Sequence, residues 1–267
     1  FWIQTKKLMS KTTFIFGIIS LLNFNVYSNQ QSNLIKYEIV QDKNELATLE
    51  ENLIKAYKQM QENAELSSSF AKQFNQIIKT NPRSLEYSFK KLQEETDIRI
   101  ATSSDKKLRI YSWDNNQGGT MRFFDQIIQF NDNGKINSNL KTANEDAQSF
   151  ISKIYSIKTN KKETIYLTIN NSIYSTKDAS QSIFSYKISN HKLIATKAFK
   201  TKNQSLSSIH CEFNFFSVVD RPERPVELIT LKDNILYIPL INKEGTVTKK
   251  NLIYKWNGSN FKYDGIK

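Results

Sequence analysis

Apolar residues recur every three or four positions along the first third of the chain, and every second position from Ile98 onward. Leu46, Leu49, Leu53, Tyr57 and Met60 make one helical stripe, opened by Asp42 and Glu45 as an N-terminal capping pair. Leu66, Phe70, Phe74 and Ile77 make a second stripe. Asn81-Pro82 ends that helix and starts a third, with Leu85, Phe89 and Leu92 on its inner face. Each helix has a single apolar face, so the three must pack on one another or on the sheet that follows.

From Ile98 to Phe130 the pattern reads as three successive antiparallel strands, the first two joined by Ser104-Asp105-Lys106 and the last reached through the turn Asn115 to Gly119. In the middle run Leu108, Ile110 and Ser112 alternate with Arg109, Tyr111 and Trp113. One face can therefore be buried while the other offers a cation between two aromatics. Asn131 to Gly134 forms a turn and Ile136 to Leu140 a weak strand. Thr142 and Glu145 then look like the cap of a further helix carrying Ala147, Phe150, Ile151, Ile154 and Tyr155.

The rest is almost all β: Thr164 to Tyr174, Ile183 to Ile188, Leu193 to Phe199, Ser208 to Phe216, Leu228 to Leu231, Ile235 to Ile241, Asn251 to Trp256 and Phe261 to Tyr263. Lys232-Asp233-Asn234 and Asn257-Gly258-Ser259 are hairpin turns, since Asn and Gly tolerate the positive φ that tight turns need. The predicted fold class is α+β, with short N-terminal helices followed by an antiparallel β-meander, either a curved sheet or an open propeller-like array. The expected organisation is a signal peptide over 1–28, a helical region over 29–96 and a mainly β domain over 97–267.

That signal peptide rests on order: Lys6, Lys7 and Lys11 precede the apolar run Phe14 to Leu22, and Val26-Tyr27-Ser28 carries the small residue expected before cleavage. Met9 is a candidate start, and the mature chain would begin near Asn29, in the periplasm or outside the cell. The nine-residue run is too short to span a bilayer, and no transmembrane segment is expected in the mature chain. A hydrophobic fraction of 39% is enough to bury a core. The net charge of +12 would favour anionic polymers, but 27 asparagines and the excess of Lys over Arg point to a compositional bias across the whole chain. No nucleic-acid signature accompanies the charge, so nucleic acid is not an expected partner.

The chain lacks most recognised catalytic signatures. One cysteine, Cys211, excludes an internal disulfide; two histidines and no HExxH make a zinc site improbable. There is no Gly-x-Ser-x-Gly elbow, phosphate loop or Gly-rich dinucleotide turn, and no cofactor is expected. His210 and Cys211 suggest a thiol and its base, yet strand neighbours leave opposite faces, which groups Cys211 with Ile209, Phe213 and Phe215 as a buried thiol; a catalytic Cys211 would need His191. Asp114 with Asp125, and Glu212 with His210, are the acid pairs on which a glycosidase or peptidase could be built. Asp220 to Pro225 reads as a stiff extended connection.

Arg109, Tyr111, Trp113 and Arg122 are the candidate binding residues: either an exposed aromatic and cationic patch, or Tyr111 and Trp113 set against the helices with Arg109 covering them. The fragment SSDKKLRIYSWD around them resembles the strand pair of a WD-type β-propeller blade, although Trp113-Asp114 has no second copy at the period propellers require. The run from Leu85 to Phe130 resembles uncharacterised secreted bacterial proteins, which implies no activity. The expected function is a non-enzymatic binding module of the bacterial envelope, its partner a glycan, a peptide or an anionic polymer. The alternative is a secreted hydrolase acting on a glycan or peptide through paired carboxylates.

Overall fold

The computed structural model describes residues 44–143, 148–221 and 226–267. The predicted signal segment, the arm that follows it and the Asp42 cap lie outside the described residues, as do Glu145 and most of the Asp220 to Pro225 connection. The chain divides into Phe1–Thr48 and Leu49–Lys267. In the first unit residues 44–48 are helical, with the Thr48 hydroxyl donating to the Asn44 carbonyl at 3.0 Å. The second unit carries helices first and antiparallel sheets after, the α+β class expected from the pattern.

Helices α1 (49–62) and α2 (Ser67–Thr80) pack through the predicted stripes: Leu53, Tyr57 and Met60 meet Phe70, Phe74 and Ile78 in one apolar cluster. Burying each such side chain stabilises the fold by about 1.5–3 kcal/mol. Leu66 stays 39% exposed, because it sits in the turn ahead of α2 and not on its inner face.

The third predicted helix is broken. A 3₁₀ turn over Pro82–Leu85 gives way to Phe89 at φ 47°, and only then to α3 (Lys90–Glu95). Arg109 explains the break: its Nη1 donates to the carbonyl oxygens of Ser84 (2.6 Å) and Tyr87 (2.5 Å), acceptors that an unbroken helix needs for its own ladder. The left-handed Phe89 still delivers its ring into the helical core.

Three sheets follow. The first is the meander β1 (Arg99–Thr102), β2 (Leu108–Asp114), β3 (Phe124–Asp132) and β4 (Lys135–Lys141). The second pairs β5 (Phe150–Lys158), β6 (Thr164–Ile173) and β7 (Asp178–Ser189) in succession, with β11 (Ser208–Asn214) and β8 (Lys192–Ala195) both bonded to β7. The third has the order β10 (Ser205–Leu206), β9 (Phe199–Lys200), β15 (Phe261–Ile266), β14 (Val247–Trp256), β13 (Ile235–Ile241), β12 (Thr230–Lys232). The β12–β13 hairpin turns at Asp233 (φ 50°) and Asn234 (φ 63°), as its sequence predicts. The single strand expected over Leu193 to Phe199 is instead split between two sheets as β8 and β9, and the β9–β15 pairing is parallel.

The helix expected around Ala147 to Tyr155 is corrected to strand β5. A bulge between Ile151 and Lys153 puts Ile151 and Ile154, three apart, into one cluster on one face of the strand. A bulged strand thereby imitates the i, i+3 spacing of a helix.

Layering follows from these faces. Tyr111, Trp113 and Ile127 of the first sheet join the helical core, whereas Leu108, Ile110, Ile128 and Phe130 on the alternate face meet Ile151, Ile154 and Tyr166 of the second. The other side of the second sheet, with Leu167, Ile169, Ile183 and Cys211, packs on Phe199, Ile238, Tyr254 and Phe261 of the third. Near the β1–β2 turn, Tyr166 Oη donates to Asp105 (2.8 Å) and ties the first two sheets together.

Candidate functional site

Of the two arrangements open to Arg109, Tyr111 and Trp113, the buried one forms, because α2 and the segment after it lie over this face. Trp113 and Tyr111 are wholly buried and Arg109 nearly so. Phe74 meets Tyr111 edge-on at 5.2 Å and Phe70 meets Trp113 at 5.5 Å. Arg109 adds a bond from Nε to Thr102 Oγ1 (2.8 Å) to its two carbonyl contacts. The Tyr111 hydroxyl lies 3.1 Å from both the Ser84 carbonyl and Gln129 Oε1, and Gln129 Nε2 donates to Ser84 Oγ (2.9 Å). Burial pushes the Tyr111 phenol up to about 12. Arg109, Tyr111, Gln129 and Ser84 form a network engaged in holding helix to sheet, while the buried Trp113 Nε1–H has no hydrogen-bond partner among the described residues. Arg122 stands apart on the surface, paired with Asp114 at 3.0 Å.

Asp114 and Asp125 do not converge on a cleft either. Asp125 is buried and accepts from Asn115 Nδ2 (3.2 Å) and the Ala143 amide (2.9 Å); burial, more than neighbouring Asp114, moves its carboxyl above the usual range. Asp114 also accepts from the Asn116 amide (2.9 Å), so it shapes the turn as well as pairing with Arg122. Cys211 is buried, and desolvation raises its thiol to about 11, far from the reactive thiolate range. His191 faces Asp132, with Nδ1 3.2 Å from its carboxylate.

A cavity of about 550 Å³ lies between the first two sheets. Alternation and register build it. From the first sheet come Ile110, Ile128 and Asn139 in one cross-strand row, and Gln126 with Lys141 in the next. The second sheet contributes the row Asn170, Ser182 and His210, with Thr168 and Phe184 on one side and Ser172 on the other. Phe184 and Tyr186, two apart on β7, stack with rings 15° from parallel and centroids 6.3 Å apart. Both rings are partly exposed to the cavity.

The lining is rich in uncharged donors and acceptors. Among the described residues no carboxylate lines the cavity, and its cations are Lys141 and Lys192. Thr168 Oγ1 donates to Asn170 Oδ1 (2.7 Å), and Asn170 Nδ2 donates to Ser149 Oγ (2.9 Å), which fixes that amide with a second N–H in hand. Ser182 Oγ is 2.5 Å from His210 Nδ1, and His210 Nε2 is 3.1 Å from Glu212 Oε1. Of the candidate functional residues named from sequence, His210 alone lines this cavity among the described residues. Ser182, Asn170, Phe184 and Tyr186 were missed. The signal of Ser182, Phe184 and Tyr186 was a run of small polar and aromatic residues alternating with Ile183 on β7, legible only once the neighbouring strand that carries Asn170 is known.

Among the described residues no helix is long and apolar enough to cross a membrane. Comparison with family models, curated proteins and solved structures returned no match.

Proposed function

We propose that the protein is an exported binding module that holds a neutral glycan in the cavity between its first two sheets. Export is supported by the basic, apolar and small-residue order of the N-terminus. One observation carries the ligand class: a concave site of about 550 Å³ combines a stacked Phe184–Tyr186 pair with amides and hydroxyls and, among the described residues, has no carboxylate in its lining. Sugars present apolar C–H faces and a fringe of hydroxyls. Flat rings with fixed Asn, Gln, Ser and Thr groups answer both demands. A strongly anionic polymer would require more cationic lining than Lys141 and Lys192, and a peptide would find less apolar depth.

Isothermal titration with cellohexaose, chitohexaose and maltohexaose tests the reading. At least one should bind. Tyr186→Ala should weaken that binding tenfold or more, about 1.4 kcal/mol, with the melting temperature nearly unchanged. Failure of all three to bind, or binding indifferent to Tyr186→Ala, would overturn it.

A further inference from the structure

Resting on that reading, we infer that the cavity is also a hydrolytic centre, in which Ser182 is the nucleophile that removes short-chain acyl esters from carbohydrate hydroxyls. The three side chains needed are supplied by two paired strands. Ser182 and His210 are direct cross-strand partners on β7 and β11, and Glu212 follows His210 by two residues on the same face. One neutral imidazole tautomer serves both contacts: Nδ1 accepts the Ser182 hydroxyl proton and Nε2–H donates to Glu212. This is the nucleophile, base and orienting carboxylate relation that activates a serine, found by geometry with no sequence motif to announce it. Ser182 lines the cavity and is 5% exposed.

The surroundings suit the reaction. Asn170 is the cross-strand partner of Ser182 on the opposite side from His210, and its second N–H is a donor for the oxyanion that develops on the attacked carbonyl. Phe184, two residues from Ser182 on the same face, supplies an apolar wall for a small acyl group. In the reaction Ser182 Oγ bonds to the ester carbonyl carbon while its proton passes to His210 Nδ1. The bond from that carbon to the sugar oxygen then breaks, and His210 returns the proton to the departing alkoxide. Water, deprotonated by the same Nδ1, cleaves the acyl-serine, releases the carboxylic acid and restores Ser182. Glu212 is a positioning residue that holds the imidazole and steadies its protonated form.

The test uses the full chain with a fluorophosphonate probe and two substrates, 4-nitrophenyl acetate and O-acetylated cellohexaose. Ser182 should be phosphonylated, located by peptide mass spectrometry, and both esters should be hydrolysed. Ser182→Ala and His210→Ala should each lose at least a hundredfold in rate. Glu212→Gln should lose about tenfold and displace the acid limb of the pH–rate profile, which a merely structural change would leave in place. No label on Ser182 of the unaltered protein, or undiminished hydrolysis by Ser182→Ala, would overturn the inference. Oligosaccharide binding without labelling leaves the binding reading standing and removes this one; labelling and nitrophenyl acetate turnover without oligosaccharide binding keeps the nucleophile and refutes the carbohydrate substrate.

Discussion

The two faces of the first sheet are built from alternate residues of the same strands, yet they end in opposite conditions. On the helix side Arg109, Tyr111, Gln129 and Ser84 form a polar network in which each member is buried and held by the others. On the side facing the second sheet, Gln126 and Asn139 look across a cavity at Asn170 and Ser182. The contrast teaches that a dense cluster of cations and aromatics is not by itself a recognition surface. What distinguishes a site is room beside the polar groups and bonding capacity not already committed to the fold. Gln181 makes the same point on the second sheet: buried, it donates to Asn171 (2.7 Å) and the Val226 carbonyl (2.9 Å) and accepts from the Leu228 and Ile229 amides. Its capacity is used to hold the neighbouring strand β6 and to clamp the segment from Val226 to Ile229.

If the helix side is purely architectural, its variants should unfold the protein without touching the cavity. Trp113→Ala should have the largest effect, about 3–5 kcal/mol of lost stability for a buried large aromatic, read by denaturant titration. A loss under 1 kcal/mol would return Trp113 to the surface. Arg109→Ala should cost about 2–4 kcal/mol, because it strands the Tyr87 carbonyl, leaves the Ser84 carbonyl with the Tyr111 hydroxyl alone, and removes the cause of the break before α3. Arg109→Lys should recover only part of this, since one ammonium does not reproduce a fork that reaches two carbonyls and Thr102.

Cys211 sharpens the comparison through pH. Its folded-state value of about 11 lies above the ordinary thiol value of 9, so the unfolded chain loses that proton first. The stability this group contributes is fully present below pH 9 and is lost as pH rises through about 11, on the order of 2 kcal/mol. Melting temperatures across that range should fall, and Cys211→Ala should flatten that part of the fall. The smallest effect on stability is expected at the cavity: Asn170→Ala should cost less than about 1 kcal/mol while abolishing glycan binding. A large stability loss there would make the cavity another part of the architecture.

Where sequence reasoning succeeded, the signal was local. The stripes of α1 and α2, the Asp233-Asn234 turn and the β13 boundaries all depend on residues within one turn or one strand of each other. The break at Phe89 was invisible because its cause, Arg109, arrives twenty residues later from another element. The strand β5 was mistaken for a helix because a bulge is decided by its partner β6, and without the partner two isoleucines three apart look helical.

The candidate site divides in the same way. Alternation alone separates His210 from Cys211, and the apolar neighbours of Cys211 already make it a buried thiol. Period, turn chemistry and the succession of helices before strands were likewise enough for the α+β class. Strand register decided the rest, because it brings Asn170, Ser182 and His210 into one row although they are separated by turns and by whole strands. Packing then decided which face of β2 would be sealed by helices and which would border a cavity. Both decisions depend on pairings between distant segments, and a single sequence carries no record of which strand will lie beside which.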